Sequence, residues 1–258
     1  MLENGGLLFS AEPPVARITL HRPATRNAQT PATWRALAAL GASLDTELRV
    51  VVLAAEGPSF SAGLDRRMLG GSGIPGEPSL TDLAALEPAA LDDAVAEFQA
   101  AFTWWRESPA VTVAAVAGHA VGAGFQLALA CDLVVCADDA QFAMRETSLG
   151  LVPDLGGTGR LVDAVGYPRA LEICATGRWV GAREAVDLGF AVTAVPVADL
   201  AAAVDDLVAA LLAAPAGALR ETKGLLRAAV HRGEDERLAA ERAAQARRLA
   251  DLARALPG

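Results

Sequence analysis

The chain is poor in cysteine, histidine and lysine, and each shortage excludes something. Its three cysteines, Cys131, Cys136 and Cys174, are odd in number and fall at no metal-ligand spacing. Cys131 and Cys136 sit in apolar sequence and read as buried, inert thiols. His21, His119 and His231 lie far apart and form neither a zinc nor a Ser-His-Asp signature; His119 reads as a packing histidine. Lys223 is the single lysine beside 21 arginines, and 31 acidic residues bring the net charge to -9. Nucleic-acid binding needs clustered basic side chains to neutralise phosphates, so that class of partner is excluded. The first 14 residues lack a basic segment followed by an apolar one, so no signal peptide is expected. The expectation is a cytoplasmic protein.

Long apolar runs are scarce too. The one uncharged stretch of bilayer length covers 22 residues, 110–131, but Gly118, Gly122, Gly124, His119 and Gln126 interrupt it. It starts β-branched and ends helical in character, so a buried strand, a glycine turn and a buried helix are expected, and no membrane partner. With 53% hydrophobic and 21% charged residues over 258 positions, the chain can bury one large α/β core, with or without a small helical appendage.

Strand and helix signals alternate through the first three-quarters of the chain. Strands are predicted at 15–20, 49–54, 111–117 and 132–137, with a short extended piece at 140–144. Thr30 followed by Pro31 marks a helix start, continued by Trp34, Leu37, Leu40 and Leu44. A second helix, 91–107, carries Val95, Phe98, Phe102 and Trp105 on one face. One of Trp104 and Trp105 is expected in the core and the other on a substrate tunnel. From 156 onward the pattern is helical, at 156–165, 169–176, 182–188, 200–213, 216–230 and 234–255. The tail from Pro215 carries nine basic and six acidic residues, which suits a solvated helix face, a docking surface or a cover over an anionic ligand.

Two glycine turns follow strands. The run Gly118-His-Ala-Val-Gly122-Ala-Gly124 opens a helix and has the wrong spacing for a dinucleotide fingerprint. The other is Phe60-Ser-Ala-Gly-Leu-Asp65. Two such turns can aim two backbone N–H groups at one oxygen, as an oxyanion hole requires.

Three motifs occur in order: F-S-A-G-x-D from Phe60, G-x-x-x-G-A-G-F-x-L-A-x-x-C-D from Gly118, and F-x-x-x-E-x-x-x-G-x-x-P-D-x-G-G-T-x-R-L from Phe142. This order resembles the crotonase superfamily, the enoyl-CoA hydratases and isomerases, from Val15 to about Val197. The resemblance implies an α/β spiral of repeated ββα units, a core over 1–197 and a trimerising helical region over 198–258. It implies a homotrimer or dimer of trimers, and an acyl-CoA substrate whose coenzyme A is part of the substrate, with no further cofactor and no metal. The oxyanion donors fall on the N–H groups of Leu64 and Ala123. Ala62, Leu64, Asp65, Arg66, Arg67, Gly122, Ala123 and Gln126 are the candidate substrate contacts, Arg66 and Arg67 toward the coenzyme A phosphates. The segment 68–100 is expected to shape the acyl pocket.

Hydratases of the family carry one glutamate three residues after the second donor and another in F-x-x-x-E. Here the second is Glu146, but the first position is Gln126, whose amide can hold water yet cannot shuttle a proton. Asp154 supplies a second acid, at the position where dienoyl-CoA isomerases of the family have an aspartate. The expected chemistry is therefore double-bond isomerisation with Glu146 as base and Asp154 as partner. Hydration with a reduced acid–base set, and acyl-CoA binding without catalysis, are the alternatives. Away from catalysis, Glu146 would pair with Arg145 or Arg160, and Asp154 would cap the helix starting near Gly156.

Overall fold

The computed structural model describes residues 2–70 and 73–255. Nine strands are described: β1 Leu7–Glu12, β2 Val15–Leu20, β3 Val50–Ala55, β4 Val111–Val116, β5 His119–Val121, β6 Leu133–Ala137, β7 Gln141–Ala143, β8 Val180–Gly181 and β9 Thr193–Val195. The helices are α1 Leu2–Gly5, α2 Pro31–Ser43, α3 Leu80–Ala84, α4 Pro88–Glu107, α5 Ala123–Ala130, α6 Gly157–Val165, α7 Tyr167–Thr176, α8 Ala182–Asp187, α9 Leu200–Ala213, α10 Ala216–Ala229 and α11 Glu234–Ala255. The larger sheet has the order β1-β2-β3-β4-β6-β9, parallel except for the β1–β2 hairpin, and β5, β7 and β8 form a second sheet.

The spiral comes from a repeated step. A strand of the large sheet ends, the chain turns, and a short extended segment pairs in a second layer before a helix returns. Thus β4 leads to β5 and α5, and β6 leads to β7. Parallel bridges between Ser61 and Ala120, and between Gln29 and Leu64, carry the second layer across the segments that follow β3 and β2. Each short segment lies beside the preceding one, so residues from distant repeats meet along a single line. That line is where the two glycine turns fall.

Both faces of the parallel sheet are covered, which explains why β3 reads as an unbroken apolar run and β4 as one interrupted only by Thr112. Val51 and Leu53 join the main core with Ala114, Val116 and Phe125, whereas Val50, Val52, Val111 and Val113 pack under Val204 and Val208 of α9. The sequence left β1 unassigned because only Leu7 of its six residues is buried, so no alternation is visible. It also missed α3, although Ser79 and Asp82 form a capping box there. Thr30 caps α2 as expected, through a reciprocal bond with Thr33. Cys131 and Cys136 are buried, and burial pushes both thiols up, Cys136 to about 11. Among the described residues no helix is long and apolar enough to cross a membrane.

The tail helices are held by polar contacts more than by apolar ones. No residue of α10 is buried, and Leu226 and Val230 are exposed, while Leu219 rests partly buried on the α9 cluster. The single lysine is the anchor. Lys223 Nζ donates to the Ala110 carbonyl at 2.6 Å and to Asp132 Oδ2 at 2.7 Å, with the Trp105 carbonyl at 3.3 Å. Asp132 in turn accepts from the backbone and hydroxyl of Thr112, so α10 is tied to the end of α4 and the starts of β4 and β6. Removing one partner of a largely buried pair leaves the other charge uncompensated. Lys223→Met is therefore expected to lower unfolding stability by about 3 kcal/mol in urea titrations; a loss below about 0.5 kcal/mol would show the latch to be incidental.

Candidate active site

The two glycine turns touch through their backbones. Gly63 has φ +82°, and a Cβ placed there would stand 2.4 Å from the Val121 carbonyl oxygen and 3.5 Å from the Ala123 nitrogen. Gly122, at φ +51°, precedes the first residue of α5, and a Cβ there would lie 3.2 Å from Glu146 Oε1. The neighbouring N–H groups are consumed: Gly63 donates to Ser61 Oγ, Asp65 to the Gln29 carbonyl and Gly122 to the Ala143 carbonyl. The N–H groups of Leu64 and Ala123 have no acceptor among the described residues. Ala123 is the first residue of α5, so its N–H also carries the positive end of the helix dipole.

Both turns open into a cleft of about 1000 Å³. Leu64, Ala123, Gln126, Glu146 and Asp154 all line it, as do Ala62, Asp65, Arg66 and Gly122. Arg67 is not on its wall. The Arg67 guanidinium is committed to Asp65, at 2.8 and 3.0 Å, and with Arg22 it holds that carboxyl down to about 2.

Gln126 is the hub of the carboxylate side. It is 1% exposed; its Oε1 accepts the N–H groups of Leu155 at 2.9 Å and Gly157 at 3.2 Å, and its Nε2 donates to Glu146 Oε1 at 2.7 Å. Gly157 must be small, because a Cβ there would meet Gln126 Cγ at 2.6 Å. Glu146 Oε2 is buried and has no hydrogen-bond partner. Burial raises the Glu146 pKa above its ordinary 4.5, the nearby Asp154 charge pushes the same way, and the bond from Gln126 pulls against them. Asp154 is exposed on the cleft wall, and the partial desolvation there raises its pKa as well.

These contacts replace two expectations. Glu146 pairs with neither Arg145, which donates to the Gly177 carbonyl, nor Arg160. Asp154 does not cap α6: the N-cap is Gly156, without any side-chain capping bond. The backbone carbonyl of Asp154 is held instead by Gln99 Nε2 at 2.7 Å. Other departures concern aromatics. Trp105 is buried, Trp104 stacks on it against Gly41, and neither reaches the cleft. Trp34 and Trp179 line it instead. Reading Trp34 only as an apolar position of α2 hid this; its partner Gln29, a buried glutamine just before a helix cap, was the available signal. His119 is exposed on the cleft, edge-on to Trp179 at 5.4 Å, not packed inside.

Fold and cleft together define a crotonase-type enzyme. The profile of the enoyl-CoA hydratase/isomerase family matches residues 10–252, and the chain belongs to that family. It is 47% identical to a Thermobifida fusca YX protein described as an enoyl-CoA hydratase and solved with CoA, with a TM-score of 0.93 over 98% of this chain and 96% of that one. A Thermobifida fusca YX protein of the same description has been solved with acetoacetyl-CoA, at 48% identity, a TM-score of 0.93 and 97% coverage of both chains. A Mycobacterium tuberculosis protein named as an enoyl-CoA hydratase is 32% identical over 75% of this chain and 70% of its own. The mouse mitochondrial Delta(3,5)-Delta(2,4)-dienoyl-CoA isomerase is 33% identical over 70% of this chain and 55% of its own.

The contact at Gly63 allows a test of the architecture. Gly63→Ala combines a strained positive φ with a clash against backbone that cannot give way. It is expected to cost about 2 kcal/mol or more of stability, read by thermal unfolding, with loss of turnover in whatever protein folds. Wild-type stability and activity in this variant would show that the two turns need not abut.

Proposed function

We propose that the enzyme isomerises the double bond of an enoyl-CoA or dienoyl-CoA through a thioester dienolate. The carrying observation is Glu146, a residue of the cleft wall: one of its oxygens is clamped by Gln126 while the other is buried without a hydrogen-bond partner. The thioester carbonyl accepts from the N–H groups of Leu64 and Ala123, which stabilises negative charge developing on that oxygen. Glu146 takes a proton from one carbon, the electron pair delocalises onto the thioester oxygen, and a proton returns at the other end of the conjugated system. Asp154, the second carboxyl on the cleft wall and one whose pKa desolvation raises, is the partner for that return. Coenzyme A enters as part of the substrate, with Arg66 the candidate contact for its phosphates. Gln126 is a positioning residue: all its work is to orient Glu146 against the 154–157 turn.

Hydration is the second reading, supported by the hydratase names of the Thermobifida and Mycobacterium relatives. Mass separates the two, because hydration adds a water and isomerisation adds nothing. A panel of 2-enoyl-, 3-enoyl- and dienoyl-CoA substrates is expected to give isomers of unchanged mass. A hydrated product alone would overturn isomerisation, and no turnover on any member would overturn both. Glu146→Gln is expected to lower turnover about 100-fold or more while leaving the circular dichroism spectrum unchanged.

The pH profile tests the electrostatics. Glu146 must be ionised to accept a proton, so kcat/KM climbs with pH through a midpoint above 4.5. Asp154→Asn removes the neighbouring charge and is expected to move that limb to lower pH; Gln126→Leu removes the bond that favours the carboxylate and moves it higher. A limb unmoved in both variants would contradict the coupling. Gln126→Glu supplies the second carboxylate found in the family's hydratases and is expected to add hydrated product.

We also propose that the chain assembles as a trimer or dimer of trimers through its tail. Leu226 of α10, Val230 just after it, and Leu249 and Leu252 of α11 are exposed apolar residues in the single chain. Light scattering of the full chain reads the state directly, and a monomer would contradict it.

A further inference from the structure

Resting on the acyl-CoA reading of the cleft, we propose that its helical wall is an acyl subsite for unfunctionalised hydrocarbon chains, one that rejects acyl groups ending in a carboxylate. The cleft wall divides by element. Every charged residue on it comes from the loops and short strands of the second layer and the segments beside them, between 25 and 66 or between 119 and 154. From α2, α3 and α4 the lining residues are Trp34, Leu80, Leu83, Val95 and Phe98, all apolar, and Met68 joins them from the turn before α3.

The nearby polar groups are already spent. Trp34 Nε1 donates to Gln29 Oε1 at 2.8 Å, so the indole shows the cleft only its ring. Gln29 Nε2 is engaged with Ser61 Oγ, which donates onward to the Asn27 carbonyl. Asp82 of α3 is turned back into the cap at Ser79, Arg35 of α2 is bidentate on Glu77, and Gln99 of α4 holds the Asp154 carbonyl. Phe98 packs tilted on Trp34 at 4.8 Å, with Phe102 behind it at 6.3 Å, which fixes both rings as a surface. The bond from Gln99 places this face of α4 beside the carboxylates. An acyl chain that starts at the two free N–H groups and passes Glu146 thus runs onto hydrocarbon and aromatic carbon. The residues that α2, α3 and α4 give to the wall offer neither a free donor nor a cation, so a carboxylate lying against them would lose its water without compensation, which is among the costliest of desolvations.

The contrast is with another relative. The Escherichia coli (strain K12) 2,3-dehydroadipyl-CoA hydratase, named for a substrate with a second carboxyl group, is 34% identical over 71% of this chain and 66% of its own. An apolar wall that rejects a terminal carboxylate separates the two proteins by substrate class within one fold.

The experiment is calorimetric titration of the wild-type enzyme at pH 7.5 with coenzyme A, butyryl-CoA, hexanoyl-CoA and adipyl-CoA monothioester. These saturated ligands have no double bond to move. Each buried CH₂ is worth about fourfold in affinity, so hexanoyl-CoA, two CH₂ groups longer, is expected to bind about 15-fold tighter than butyryl-CoA. Adipyl-CoA, the same length with a charged end, is expected to bind at least about tenfold weaker than hexanoyl-CoA. Val95→Lys, which places an ammonium on the wall, is expected to bring the two six-carbon ligands to within about threefold by the same charge-pairing argument. Equal wild-type affinity for adipyl- and hexanoyl-CoA would overturn the subsite while leaving the acyl-CoA reading standing. Acyl-CoAs that bind no better than coenzyme A itself would overturn that reading, and the subsite with it.

Discussion

The structure turns on one backbone approach. Gly63 lies so close to the Val121 carbonyl that no side chain fits between them, and this contact ties the segment after β3 to the segment after β4. The Ser61–Ala120 bridge extends it. Everything the cleft presents follows from that abutment. The N–H groups just beyond each turn, at Leu64 and Ala123, lack internal partners because the turns spend the adjacent N–H groups on holding themselves together. Two free donors on unrelated parts of the chain are placed by rigid sheet layers, not by mobile side chains, which is the preorganisation that charge stabilisation needs.

Glu146 depends on the same geometry. Gly122 leaves room for its carboxylate beside the second turn, and Gln126, one helical turn into α5, grips one of its oxygens. A glutamine suits this place physically. Its carbonyl end accepts from two backbone N–H groups of the 155–157 turn and its amide end donates to a carboxylate. A glutamate could do the first but would set a second negative charge beside Glu146 for the other. The substitution therefore changes the charge of a buried network without changing its shape, and it leaves Asp154 as the second acid of the cleft.

Much of this was legible beforehand, for identifiable reasons. Glycines at 63, 118, 122 and 124 and the F-x-x-x-E and P-D-x-G-G runs are backbone requirements, and backbone requirements leave spaced signatures in sequence. Strands β3, β4 and β6 were visible because burial on both faces makes near-continuous apolar runs, and β2 because Ala16, Ile18 and Leu20 alternate with less buried residues. What was hidden depends on partners remote in sequence. Whether Asp154 capped a helix was decided by Gly156 taking the cap, and whether Trp34 or Trp105 met the cleft was decided by the packing of α4 on α2. His119 looked like a packing residue because its neighbours are apolar, yet β5 is so short that its first side chain emerges at the surface. The anchoring role of Lys223 rests on carbonyls and a carboxylate about 90 residues or more away, which no local pattern announces.

The central claim is that the N–H groups of Leu64 and Ala123 polarise the thioester carbonyl. Isotope-edited infrared difference spectroscopy of a bound dienoyl-CoA carrying ¹³C at that carbonyl reads this directly. Proline is tolerated at the first position of a helix, so Ala123→Pro deletes one donor at small cost to α5. The carbonyl stretch is expected to move to lower frequency on binding wild-type enzyme and to recover most of the way toward its solution value in folded Ala123→Pro. A carbonyl band at its solution frequency in the wild-type complex, or an equal shift in both proteins, would contradict it.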